Sequence, residues 1–203
     1  MALWVWLATG DIASRSVFLR RWGTVPETLF AGEIGWDSLL DGRILTLFSA
    51  LFVHADWLHL VGNLLFLVIF GIPAERALGP VRLLVLFLVC GAISNLAAAA
   101  SLAQTHAVVI VGASGAISGV IGAYLALFPR AHLGFVIPLG LFLEFVRTPA
   151  SLLIAIWALL QLGFTFIGPA FGAVAWWAHL SGFVVGVALA LSWRNAVARR
   201  LRC

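Results

Sequence analysis

Five stretches of this chain are apolar over most of a bilayer's thickness: residues 57–73, 81–103, 112–128, 150–168 and 174–193. A helix needs about 20 mainly apolar residues to cross a bilayer, and these runs are too long for barrel strands of ~10 residues. In hydrocarbon every backbone N–H and C=O must find its partner inside the protein, so runs like these are expected to be helices. The remaining residues agree, since 63% of the chain is hydrophobic and only 10% is charged. A soluble domain of 203 residues could not cover itself with so few charges. The expected fold class is therefore all-α, a polytopic membrane helix bundle forming one domain over 1–203. A further apolar segment, AHLGFVIPLGLFLEFV at 131–146, is interrupted by Pro138, Gly140 and Glu144. It is expected to be an interfacial or re-entrant element rather than a span.

The first ten residues, MALWVWLATG, are too short to span and no basic stretch precedes them, so they make a poor signal peptide. They read as the remnant of a first span and predict about ten or more apolar residues upstream in the natural protein. Counting that remnant gives six spans, with both termini on one side. All twelve basic residues are arginine, and their placement selects that side. Arg76, Arg82, Arg130 and Arg147 lie between spans on one face, and Arg194, Arg199, Arg200 and Arg202 follow the last span onto it. The long loop 11–56 on the opposite face has mixed charge, and its companions near 104–111 and 169–173 carry no Asp, Glu, Lys or Arg. An N-in, C-in topology follows. No basic soluble face is available for nucleic acid. Cys90 lies within an apolar run and Cys203 ends the chain, so neither a disulfide framework nor a metal site is expected, and no cofactor is called for. Abundant Ala, Gly and Arg without lysine suggest a high-GC bacterial genome, hence a bacterial cytoplasmic membrane.

Topology gives depth to the polar residues within the spans. Ser114 lies at the extracytoplasmic start of 112–128, and His179 about one turn inside the same end of 174–193. His59 and Asn63 stand four apart at the corresponding end of 57–73, so they share a helix face. Three spans thus bring polar groups to similar depth. Gly115 and Gly119 form one GxxxG and Gly182 and Gly186 another, a spacing that lets helix backbones approach closely. Close approach would put Ser114 within reach of His179, as a hydroxyl needs to become a nucleophile at neutral pH. Taken singly these features are weak: serine in a span commonly bonds its own helix backbone, and asparagine commonly ties helices together. An intramembrane histidine weighs more, and the convergence of all four residues carries the reading.

In that order, the strings HADWLHLVGN (His54, His59, Asn63), GASG (Gly112 to Gly115) and AHLSGFVVG (His179, Gly182, Gly186) resemble the rhomboid intramembrane serine proteases. The likeness runs from about 43 to 191. It implies a six-span core, truncated here in its first span, and a serine–histidine dyad without an acidic third member. Ser114 would be the nucleophile and His179 the base. The Ser114 N–H, His59 and Asn63 would hold the oxyanion, and His54 would support them from behind. Gly112 and Gly115 would leave room around the nucleophile and its oxyanion, while Gly119 and Gly122 keep the helix slim. Substrates would be single-span membrane proteins, met in the lipid and cut near the extracytoplasmic end of their helix.

The sequence departs from the family pattern twice. Where many members carry a Trp-Arg pair in the first loop, this chain has Leu45 and Thr46, with Arg43 displaced. Where some members place an aromatic residue four after the nucleophile to support the histidine, it has Ser118. Two other functions compete with proteolysis. A rhomboid-like pseudoprotease would bind membrane clients without cutting, but such proteins lack the serine or the histidine. A transporter or metal-binding bundle built on His54, His59 and His179 would need acidic or thiolate partners at that depth, or broken helices in paired halves.

Overall fold

The structure, a computed structural model, describes residues 12–31, 42–105, 107–139, 142–167 and 176–200. The reading of 1–10 as a remnant span lies outside them. Helix α1 (Ile12–Trp22), the single turn α2 (Pro26–Leu29) and the single turn α3 (Thr46–Ser49) belong to the long first loop. They are followed by α4 (Trp57–Phe66), α5 (Ile72–Leu78) and α6 (Pro80–Ser101). After α7 (Ser114–Leu127) come strands β1 (His132–Leu139) and β2 (Phe142–Pro149), then α8 (Ala150–Ile167), α9 (Trp176–Ser192) and α10 (Arg194–Arg200).

Local chemistry explains where these helices start and bend. Asp56 caps α4, its carboxylate accepting the backbone N–H of His59 at 2.8 Å. The helix widens into a π-turn at Leu67–Gly71 and continues as α5, so that Trp57–Leu78 is one apolar span of 22 residues. Pro73, at the start of α5, has no N–H to return to the preceding turn, and the wider turn absorbs that loss. Gly79 then takes φ +85° and Pro80 opens α6. A 59° bend at Trp193 separates α9 from α10.

Trp57–Leu78, Pro80–Ser101 and Ala150–Ile167 are each long and apolar enough to cross a membrane, as is the bent pair α9 and α10 taken together. Helix α7 is different. Its 14 residues rise only ~21 Å at 1.5 Å per residue, short of the ~30 Å hydrocarbon layer. It is nevertheless the bundle's centre, buried along almost its whole length and packed chiefly on α9 and α6. A short helix surrounded by longer ones places its first residue below the surrounding helix ends.

Most of the segment 131–146, expected as an interfacial or re-entrant element rather than a span, is not helical. Strands β1 and β2 pair antiparallel, from His132 opposite Pro149 to Leu139 opposite Phe142. Their sequence is rich in β-branched and aromatic residues, which suit a pleated ladder, and Pro138 would break a helix.

The first loop is tied to the bundle through its backbone. Thr24 and Ile110 exchange two backbone hydrogen bonds of 2.9 and 2.8 Å, and the Gly112 N–H donates to the Ala50 carbonyl at 2.9 Å. Buried Asn95 on α6 donates to the Leu47 carbonyl at 2.8 Å. At the positions that depart from the family pattern, the Thr46 hydroxyl donates to Arg43 O at 2.6 Å and Thr46 O accepts from Thr24 at 2.9 Å. The Arg43 guanidinium donates to the Ala31 carbonyl, and Leu45 points outward. Backbone-directed bonds thus hold the segment that would otherwise carry the Trp-Arg pair.

Candidate active site

The glycine pairs decide how close two helices come. Helices α7 and α9 run parallel and pack backbone against backbone. A Cβ on Gly182 would fall on the carbonyl oxygen of Gly115, and one on Gly186 on that of Gly119. Gly122 meets the Phe183 backbone in the same way. On the other side of α7, Gly115 faces Ser94 of α6 and Gly119 faces Cys90. Gly115 therefore makes room for two helices, and it also borders the cavity that reaches Ser114 and His179. Gly112 does face the site: it takes φ +109°, and a Cβ there would lie 2.5 Å from the His59 ring and 3.7 Å from Asn63 Nδ2.

At the top of that parallel seam, Ser114 Oγ and His179 Nε2 are 2.9 Å apart. Ser114 opens α7, so its backbone N–H is one of those a helix start leaves without an internal partner. Ser118, one turn on, donates its hydroxyl to the Ser114 carbonyl at 2.8 Å, so it is occupied within its own helix. The other ring nitrogen of the histidine, His179 Nδ1, lies 2.8 Å from Oε1 of Gln161 on α8. Sequence reasoning did not single out Gln161. The available signal was its polarity, a lone buried amide in the otherwise apolar stretch ASLLIAIWALLQLGF.

Helix α4 supplies the facing wall. Asn63 is buried, and its Nδ2 has no hydrogen-bond partner, so a donor stands ready beside the serine. A cavity of about 240 Å³ lies between α4 and α8 and is bordered by His59, Asn63, Ser114, Trp157, Gln161 and His179. A second, of about 500 Å³, lies under the loop 108–112 and also reaches His59, Ser114 and His179. His54 lies outside the reacting groups, buried behind His59 with ring centroids 5.1 Å apart and edge to face. Burial, with a smaller push from the neighbouring His59, lowers His54 from 6.5 to about 4, against the opposing pull of Asp56. Ser114, His179, His59 and Asn63 thus share one site, with His54 behind it. Among the described residues no group of three His, Cys, Asp or Glu could hold a metal ion.

Fold and site together define an integral membrane helix bundle in which a serine and a histidine on two tightly packed helices are hydrogen-bonded at the floor of a cavity. A family model for the Rhomboid domain matches residues 41–195, and the chain belongs to the rhomboid family. It is similar to RHOMBOID-like protein 6, mitochondrial, of Arabidopsis thaliana, with 33% identity over 96 residues. That alignment takes in 47% of this chain and 30% of the relative.

Proposed function

We propose that this rhomboid-family protein is an intramembrane serine endopeptidase that cuts single-span membrane proteins. The observation that carries the reading is the 2.9 Å approach of Ser114 Oγ to His179 Nε2 beside the unpartnered amide of Asn63. The Ser114 hydroxyl donates to His179 Nε2, which takes the proton as Oγ attacks the scissile carbonyl. Negative charge then builds on the carbonyl oxygen. The Ser114 N–H, Asn63 Nδ2 and a ring N–H of His59 receive it, and the positive end of the α7 dipole points the same way. His179 returns the proton to the departing amine, leaving an acyl-serine that water, activated by the same imidazole, hydrolyses.

The site's position supports a membrane-embedded substrate. The smaller cavity lies between α4 and α8, which barely touch one another, and Leu58, Phe66, Leu159 and Leu160 on these two helices are exposed. A substrate helix hides its peptide bonds in its own hydrogen bonds and must unwind before attack, so weak helix formers near the cut are expected, with a small residue before it. The arginines of α5, α6 and α10 stand at the end of the bundle remote from Ser114, and on the positive-inside rule that end is cytoplasmic. The site then opens to the extracytoplasmic face of what composition suggests is a bacterial cytoplasmic membrane.

The test is a single-span reporter cleaved in reconstituted membranes. Ser114→Ala should abolish cleavage without altering thermal stability, and a fluorophosphonate should label Ser114 in the parent protein alone. Cleavage persisting in the Ser114→Ala protein would end the proposal, while an unlabelled parent that only binds the reporter would indicate a pseudoprotease.

A further inference from the structure

Helices α8 and α9 meet along a ladder of three side-chain pairs. Trp157 lies against Phe183 with ring centroids 5.8 Å apart, Gln161 against His179 at 2.8 Å, and Phe164 stacks on Trp176 at 4.8 Å. Each step forward along α8, of four residues and then three, is matched by the same step back along α9. The helices are therefore antiparallel and in register here, and the one polar rung sits between two aromatic ones. Gln161 is 9% exposed and borders the cavity beside Ser114 and His179, and a largely buried amide is costly unless it is bonded.

A histidine that is to accept the serine proton must be bare at Nε2 and protonated at Nδ1. The Gln161 carbonyl oxygen, at hydrogen-bond distance from Nδ1, is an acceptor only and selects that tautomer. The reversed amide would donate to Nδ1, drive the proton to Nε2 and leave the serine without a base. Nothing from α7 does this job: the side chain one turn after the nucleophile is Ser118, and its hydroxyl is committed to Ser114 O.

We infer that Gln161 is the positioning residue of this dyad: from α8, its carbonyl oxygen fixes the tautomer and ring plane of His179. The support that an aromatic side chain on the nucleophile's own helix could supply comes here from a different helix, one otherwise lightly attached to the bundle. Alignment of the base then depends on α8 being seated on α9, so the flanking pairs contribute as well, and Trp176 of one of them lies edge to face on the His179 ring with centroids 6.2 Å apart. The catalytic consequence rests on the protease reading, whereas the hydrogen bond does not.

Two substitutions separate the acceptor from its bulk. Gln161→Met keeps the length and apolar stem but removes the acceptor, whereas Gln161→Glu keeps an acceptor oxygen in the same place. In the reconstituted full chain, Gln161→Met should lower kcat by about 10- to 100-fold, as loss of outer partners that fix a histidine tautomer does, with KM within about twofold. Gln161→Glu should recover most of that loss, and Phe164→Ala should lower kcat by a few-fold. The second readout needs no activity. In protein carrying ¹⁵N-histidine, with the His179 signals assigned by a His179→Gln variant, the parent should show a protonated Nδ1 and a bare Nε2. Gln161→Met should show a mixture. A parent spectrum with the proton on Nε2, or a Gln161→Met protein with unaltered kcat and unaltered His179 signals, overturns the inference. Should the parent neither cleave nor take up a fluorophosphonate, the protease reading fails alone, and the histidine spectra still decide whether Gln161 fixes the ring.

Discussion

Two sets of glycines divide the bundle. At Gly182 and Gly186 an added methyl would collide with backbone of the neighbouring helix, whereas at Gly62 on α4 and Gly163 on α8 nothing lies within 4 Å. The first set builds the α7–α9 seam, where interaxial approach is set by carbonyls and hydrogens rather than by side chains. The second lies on the two helices that border the active-site cavity. One half of the molecule is thus solid and holds nucleophile and base at hydrogen-bond distance. The other presents helices whose main neighbour on their outer side is lipid. On the proposed protease reading this division is useful, because the reacting atoms must hold still while the walls admit a helix-sized guest.

The comparison can be broken most decisively at Gly186. Gly186→Val should cost about 3 kcal/mol or more, at the upper end of overpacking effects, because the Gly119 carbonyl it meets cannot rotate away. Thermal unfolding in detergent would measure it, and a parent-like transition would mean that the seam is looser than described. Next comes the wall at Asn63. Asn63→Ala should lower kcat by about 10²- to 10³-fold, the usual loss of an oxyanion donor, and leave the unfolding transition almost unmoved. Loss of stability with parent kcat would recast Asn63 as a structural group.

Acid tests the loop behind that wall. The folded protein holds His54 near 4 against an ordinary 6.5, so folding favours the neutral ring. Its contribution is full above pH 6.5 and is lost progressively as pH falls toward 4. The parent should lose more stability over that interval than His54→Gln, and equal losses would remove His54 from the account. The smallest effect is expected at Gly163. Gly163→Ala should be neutral or stabilising by up to about 1 kcal/mol, the difference in helix propensity. Destabilisation there would mean that something covers the outer face of α8.

Much of the site is legible from residues because membrane chemistry is restrictive. A histidine within an apolar span is costly, so His179 draws attention, and the four-residue step from His59 to Asn63 places both on one helix face. On its own helix Gln161 has only Thr165 four residues on, whose hydroxyl donates to the Gln161 backbone carbonyl at 2.8 Å and leaves the side-chain amide unexplained. Its meaning comes only from the side chain it meets on α9, eighteen positions away. The hairpin at 132–149 escapes for another reason: a broken apolar run of this length suits a strand pair as well as an interfacial helix, and periodicity alone does not choose between them.

By itself, the sequence determined that this is a membrane helix bundle and which polar residues lie near one depth, since hydrocarbon permits few alternatives to the helix. It determined also that α7 and α9 are able to pack closely, because only small residues occupy the GxxxG positions. The tertiary structure alone decided which atoms meet: Gly115 against Gly182, Ser118 bonded back to its own helix, and Gln161 against the far side of His179. Composition and spacing set what each helix offers, but hydrogen bonds a few ångströms long depend on the rotation and register of neighbouring helices, which no single helix specifies.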